Sequence, residues 1–133
     1  MKKIVFAFLI LVMIFPITSF GQEKDQTMEK RAKGIHEALK SADKKVWENF
    51  IKENYSDKLL EKYPVSKHID MFQRLHTDFG DSKILSLKPS DTKFLMVVER
   101  KSDGHRVTFE LISAKDKPYK IDGFGIEAGE IEN

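Results

Sequence analysis

Phe94–Ser113, FLMVVERKSDGHRVTFELIS, decides the fold. Phe94, Met96 and Val98 alternate with other side chains, and so do Val107, Phe109 and Leu111, so each run puts one apolar face on a strand. Lys101-Ser102-Asp103-Gly104 between them is turn chemistry. A two-residue Asp103-Gly104 loop would set Lys101 against Arg106, which repel. A four-residue loop sets Arg100 opposite His105 and Glu99 opposite Arg106, which attract. The four-residue loop is therefore expected. The two registers differ by two positions, so the same face is buried in either case.

Outward from this hairpin the period stays at two. Ile84–Leu87 is a candidate strand ended by Lys88-Pro89-Ser90-Asp91, and Tyr119–Glu127 is another, entered through Asp116-Lys117-Pro118. In the last strand Tyr119 and Ile121 are odd, whereas Phe124 and Ile126 are even. Asp122-Gly123 between them reads as a β-bulge that re-aims the strand and opens a concave pocket. The second face of the hairpin carries Leu95, Val97, Thr108, Glu110 and Ile112, too apolar for a fully wet sheet. Either long Lys and Glu stems cover it, or a homodimer forms through Leu95, Val97 and Ile112.

Upstream of Gly80 the spacing is helical. Thr27 caps a helix carrying Met28, Ile35, Ala38 and Leu39, with Gly34 inside it. Ser41 and Asp43 give a break and a new cap before Val46, Trp47, Phe50 and Ile51. Ser56 caps a short turn through Leu59 and Leu60 that stops before Pro64. Ser66 caps a helix lined by Ile69, Phe72, Leu75, His76 and Phe79, closed by Gly80. Helices followed by a four-stranded antiparallel meander make an α+β domain.

Residues 1–21, MKKIVFAFLILVMIFPITSFG, read as a secretory signal peptide. Lys2 and Lys3 precede twelve apolar residues, Ile4–Phe15, and Ser19 and Gly21 stand at −3 and −1 of a cleavage site before Gln22. A spanning helix needs about 20 apolar residues, and Pro16 cuts this run short. The expected layout is a signal peptide at 1–21, a flexible lead-in at 22–26, one domain at 27–128 and a tail at 129–133. Export to the periplasm or medium follows, with no stable membrane anchor after cleavage. The chain has 23 Lys+Arg and 21 Asp+Glu, and removing the two signal lysines leaves it formally neutral, which argues against nucleic acid as a partner. It has no cysteine, so disulfides, thiol catalysis and thiolate metal sites are excluded. Asn54-Tyr55-Ser56 fits a glycosylation sequon, a pattern common by chance.

Ala38-Leu-Lys-Ser-Ala-Asp43 leading into Val46, Trp47, Phe50 and Ile51 resembles the opening of nuclear transport factor 2-like, or SnoaL-like, proteins of cystatin-like fold. Arg106–Leu111 and Pro118–Glu127 resemble their last two strands. Phe50–Tyr55 and Val65–Gly80 resemble accessory domains beside bacterial exported serine hydrolases. The resemblance implies a cone of helices on a curved sheet and an acid–base residue in the cone of enzyme members. No Gly-x-Ser-x-Gly elbow occurs.

Three residues are weak catalytic candidates: His76, His68 and Asp122. His68 and His76 lie eight residues apart, about 80° from alignment on a helix and about 12 Å apart along its axis. That is too far to share a metal, and no metal or other cofactor is expected. Asp70 is a further carboxylate beside them. The default for His76 is packing among Leu75 and Phe79. His36 and His105 are isolated, and Glu110 should point away from the pocket. Trp47, Phe72, His76, Met96 and Phe109 are the candidate ligand-binding residues, with Tyr55 and Tyr63 nearby. Lys44-Lys45 and Lys115-Asp-Lys117 read as solvated surface. The leading functional expectation is an exported, non-catalytic module for a small apolar ligand, a peptide or a partner protein. The alternatives are a SnoaL-like isomerase or dehydratase, and a secreted inhibitor of a separate exported hydrolase.

Overall fold

The computed structural model describes residues 20–129. The signal-peptide reading lies almost wholly outside them. Helix α1 spans Phe20–Lys40, α2 Lys44–Asn54, α3 Asp57–Lys62 and α4 Val65–Phe79. Strands β1 (Ser82–Ser90), β2 (Lys93–Arg100), β3 (Arg106–Ser113) and β4 (Ile121–Ala128) follow as one antiparallel sheet in that order. The α+β class holds, and helices α1 and α4 lie against one face of the sheet.

The central hairpin takes the four-residue loop. Phe94 pairs with Leu111, Met96 with Phe109 and Val98 with Val107, and all six are buried. Arg106 Nε donates to Glu99 Oε2 at 2.9 Å, and Arg100 N donates to His105 O at 2.8 Å. In the turn, Gly104 takes φ +75°. Asp103 accepts from Arg100 Nε and Nη2, and this contact holds its carboxyl below the usual carboxylate range.

Several features differ from expectation. Phe20–Thr27 already lies within helix α1, so Thr27 does not cap it and the expected flexible lead-in 22–26 is helical. Gln22–Gln26 are mostly good helix formers, and Glu23 is held by Lys117 at 2.9 Å. Helix α4 is capped by Pro64, not Ser66, because the Pro64 carbonyl already accepts from Lys67 N. Strand β1 runs through Pro89. It is an edge strand, and the register turns the missing N–H of Pro89 toward the side without a neighbour. A bulge at Leu85, absent from the expected pattern, lets Ile84 and Leu87 both face the core although they are three residues apart. The bulge expected in the last strand is present: Ile112 pairs with Gly123 and Ser113 with Ile121, leaving Asp122 as the extra residue.

On the outer face Leu95 and Val97 are buried within the chain, flanked by Lys88 and Glu110 and by Ser86 and Thr108. Of the large apolar side chains described there, Ile112 at 43 % and the bulged Leu85 at 37 % stay exposed. The three-residue dimer patch of the sequence reading therefore shrinks to Ile112, because central-strand side chains are walled in by their neighbours on both sides. No described helix is long and apolar enough to cross a membrane.

Candidate functional site

A cleft of about 630 Å³ opens where α3 and α4 meet the edge of β4. Local chemistry places its walls. The Ser56 hydroxyl accepts from Leu59 N at 3.1 Å and starts α3, and Pro64 separates α3 from α4. Ser56 N donates to Ile121 O at 2.9 Å, which ties the start of α3 to the start of β4. The Asp122 bulge then turns Gly123, Phe124 and Gly125 into the cleft wall.

The floor is apolar, made by Leu59, Met71, Phe124 and the exposed faces of Tyr63 and Ile112. The rim is basic. Lys62, Lys67 and Arg74 line it, and none has a carboxylate within ion-pair distance among the described residues. Lys62 Nζ stands 5.5 Å above the Tyr63 ring. Lys93 also lines the cleft but is held by Glu110 Oε2 at 3.0 Å. Four basic side chains thus face two acidic ones, Glu110 and Asp122. Lys67, Met71 and Arg74 are spaced i, i+4, i+7, one stripe of α4, a signal readable in the sequence but masked there by the stronger core stripe.

His68 and Asp122 share this cleft; His76 does not. The His68 ring is 8 % exposed, its Nε2 donates to Tyr63 O at 3.0 Å, and Tyr55 and Tyr63 meet it edge-on at 4.8 and 6.2 Å. Burial pushes its pKa down. His76 Nδ1 donates to Leu39 O at 2.5 Å, and its ring lies 5.7 Å from Trp47. His36 Nε2 donates to Ser82 O at 3.0 Å. Each of these imidazoles therefore spends a nitrogen on a carbonyl between elements. His105 is exposed and stacks on Phe79, and Asp70 is exposed on α4.

The expected ligand-binding residues sit elsewhere. Trp47, Phe72, Met96 and Phe109 are fully buried in the core, and His76 braces α4 against α1. Trp47 Nε1 donates to Ala38 O and Ser41 O at 3.0 and 3.1 Å, tying off the end of α1. Large aromatics bury more area in a closed core than in an open cleft, which draws them inward. The Tyr55 hydroxyl is buried with no hydrogen-bond partner, and burial pushes its pKa up.

A second recess, about 640 Å³, lies between α1 and the β3–β4 loop. Its central cation, Arg31, uses all three guanidinium nitrogens. Nε donates to Tyr119 O at 2.9 Å, Nη2 to Pro118 O at 2.7 Å and Nη1 to Asn54 Oδ1 at 2.7 Å. The Lys117–Pro118 bond is cis and Tyr119 takes φ +54°. This recess is a clamp on the loop. It also occupies the Asn54 amide of the sequon, whose Nδ2 donates to Phe50 O.

Ser-x-x-Lys spacing occurs twice, at Ser41–Lys44 and Ser90–Lys93, and neither makes a nucleophile pair. The Ser41 hydroxyl accepts from Asp43 N, and Lys93 is held by Glu110. Among the described residues no three His, Asp or Glu side chains gather as metal ligands. Comparison with protein-family models, curated proteins and solved structures finds no match.

Proposed function

We propose that this chain is an exported, non-catalytic binding module whose cleft between α3, α4 and β4 holds a ligand with apolar and anionic groups. The carrying observation is the pairing of an apolar floor with a rim of unpaired cations, Lys62, Lys67 and Arg74. Clefts of a few hundred Å³ with an apolar lining and a few placed polar groups are the usual form of ligand sites. The resemblance to nuclear transport factor 2-like accessory modules agrees with this reading. So do His36, His68 and His76, which are engaged with backbone carbonyls rather than held free for proton transfer. Native mass spectrometry of the protein recovered from its exporting host tests the proposal. A retained anionic ligand or peptide, lost in a Lys67→Glu/Arg74→Glu variant, is the expected result. A protein that carries nothing and binds neither decanoate nor acidic peptides in titration overturns it.

A second reading, a SnoaL-like acid–base enzyme, draws on His68 and Asp122 lining one cleft. It requires that a bound ligand be converted. Return of the ligand unchanged after incubation, with the same affinity in His68→Gln and Asp122→Asn variants, removes it.

A further inference from the structure

We infer that the open edge of β4 accepts a fifth strand, an extended partner peptide in which apolar and acidic side chains alternate. This rests on the binding reading above and names the ligand class of the same cleft. The two edges of the sheet differ in kind. The β1 edge carries Lys83, Lys88, Pro89 and a bulge at Leu85, the devices that keep an edge from pairing. The β4 edge from Gly123 to Ala128 carries neither lysine nor proline.

The hydrogen-bond phase shows which groups are free. Gly129 N donates to Arg106 O at 3.0 Å. Alternation back along the pairs Glu127–Thr108, Gly125–Glu110 and Gly123–Ile112 spends those residues on β3. The backbone groups of Phe124, Ile126 and Ala128 therefore face away from the sheet. The chain already uses this edge once: Tyr55 makes a one-residue parallel bridge to Ile121, and Ser56 N donates to Ile121 O. Helix α3 then leads the chain away, and the edge from Asp122 to Gly125 borders the cleft. The six edge residues 123–128 give about 20 Å of strand, room for five or six residues of a partner.

Side chains of an added strand would alternate across it. One set would lie beside Phe124 toward Leu59 and Met71. The other would lie over Gly123 and Gly125, where only Ile112 and Glu110 come near. The unpaired Lys67 and Arg74 at the rim select carboxylates on the partner. Main-chain bonds supply affinity in this mode, and side-chain pockets and charge supply specificity.

Titration of the chain with acetyl-Glu-Val-Glu-Val-Glu-Val-amide, followed by amide NMR, tests the inference. Binding should protect the Phe124, Ile126 and Ala128 amides from hydrogen exchange. N-methylation of alternate peptide nitrogens in one phase should weaken binding at least tenfold, while the opposite phase leaves it within threefold. The surface variant Lys67→Glu/Arg74→Glu should weaken it at least tenfold. Equal loss or equal tolerance in both phases overturns strand addition. Decanoate binding with no peptide binding overturns it too, while the binding-module reading survives. Binding of neither probe ends both.

Discussion

Arg31 is the residue on which the route into β4 depends. Three donors of one guanidinium hold two successive carbonyls and an amide from three parts of the chain. Hydrogen bonds from a charged donor contribute about 1.5–3 kcal/mol each when the partners are buried, and this site is only partly so. Arg31→Ala is expected to lower stability by about 2 kcal/mol, read as a shift in urea midpoint. Arg31→Lys should recover less than half of it, because an ammonium cannot reproduce the planar fork. A midpoint unchanged in Arg31→Ala would show that the Tyr119 conformation holds without the clamp.

His36 and His68 carry a pH prediction at the same scale. Burial is the largest influence on both and lowers both pKa values. Lys40 and Lys101 push His36 the same way, against Glu37 and the Ser82 carbonyl; the Tyr63 and Leu59 carbonyls oppose the shift at His68. A histidine whose folded pKa lies below its unfolded value of about 6.5 leaves the unfolded state holding more protons. Stability is then complete above about pH 6.5 and falls as the pH drops below it. The urea midpoint at pH 5.5 should lie below that at pH 7.5, and His36→Gln/His68→Gln should flatten the slope over that range. A slope unchanged in the double variant would assign it to other groups.

Among the elements, the helix ends and turns test how local sequence sets the architecture. Gly80 closes α4 in ordinary right-handed backbone, φ −60° and ψ −31°, so its role is space rather than a left-handed turn. A Cβ there would stand 2.5 Å from His76 O and 3.1 Å from Leu39 O. Gly104 is the opposite case: its φ of +75° needs glycine, and nothing lies within 4 Å. Gly104→Ala should cost about 1 kcal/mol and Gly104→Asn less. Gly80→Ala should cost more, about 1–3 kcal/mol, because two of the three nearest atoms are backbone oxygens that cannot turn aside. Equal effects in thermal unfolding would contradict this division. Sequence reasoning found the elements well where one rule acted alone. The period-two faces and the Glu99–Arg106 attraction set the hairpin register, and the phase break set the Asp122 bulge. It missed the helix over 22–26, the Pro64 cap and the Leu85 bulge. The helix over 22–26 is tied to Lys117, distant in the chain, whereas the Pro64 cap rests on Lys67 three residues on.

At the scale of the molecule, the outer sheet face bears on assembly. Leu95 and Val97 are already buried, and the large apolar side chains left exposed there are Leu85 and Ile112. A stable dimer buries about 800 Å² on each partner, more than two side chains supply. The chain is expected to sediment as a monomer at micromolar concentration. A concentration-dependent dimer abolished by Ile112→Lys would reverse that expectation. The two sheet edges differ, the β1 edge guarded and part of the β4 edge bordering a basic cleft.

Residue order alone determined the α+β class, the central register and the face that Phe94, Met96, Val98, Val107, Phe109 and Leu111 present to the helices. These follow from periodicity and nearest-neighbour charge, which act within about ten residues. Tertiary structure alone decided where the cleft lies and what lines it. Trp47, Phe72, Met96 and Phe109 went to the core because burial of aromatic area is nondirectional and dominates, and a pattern of apolar residues does not distinguish core from cleft. Lys67, Met71 and Arg74 came to face β4 only when α4 packed and the bulge turned the strand. A site built from three elements exists only once long-range packing has set their distances.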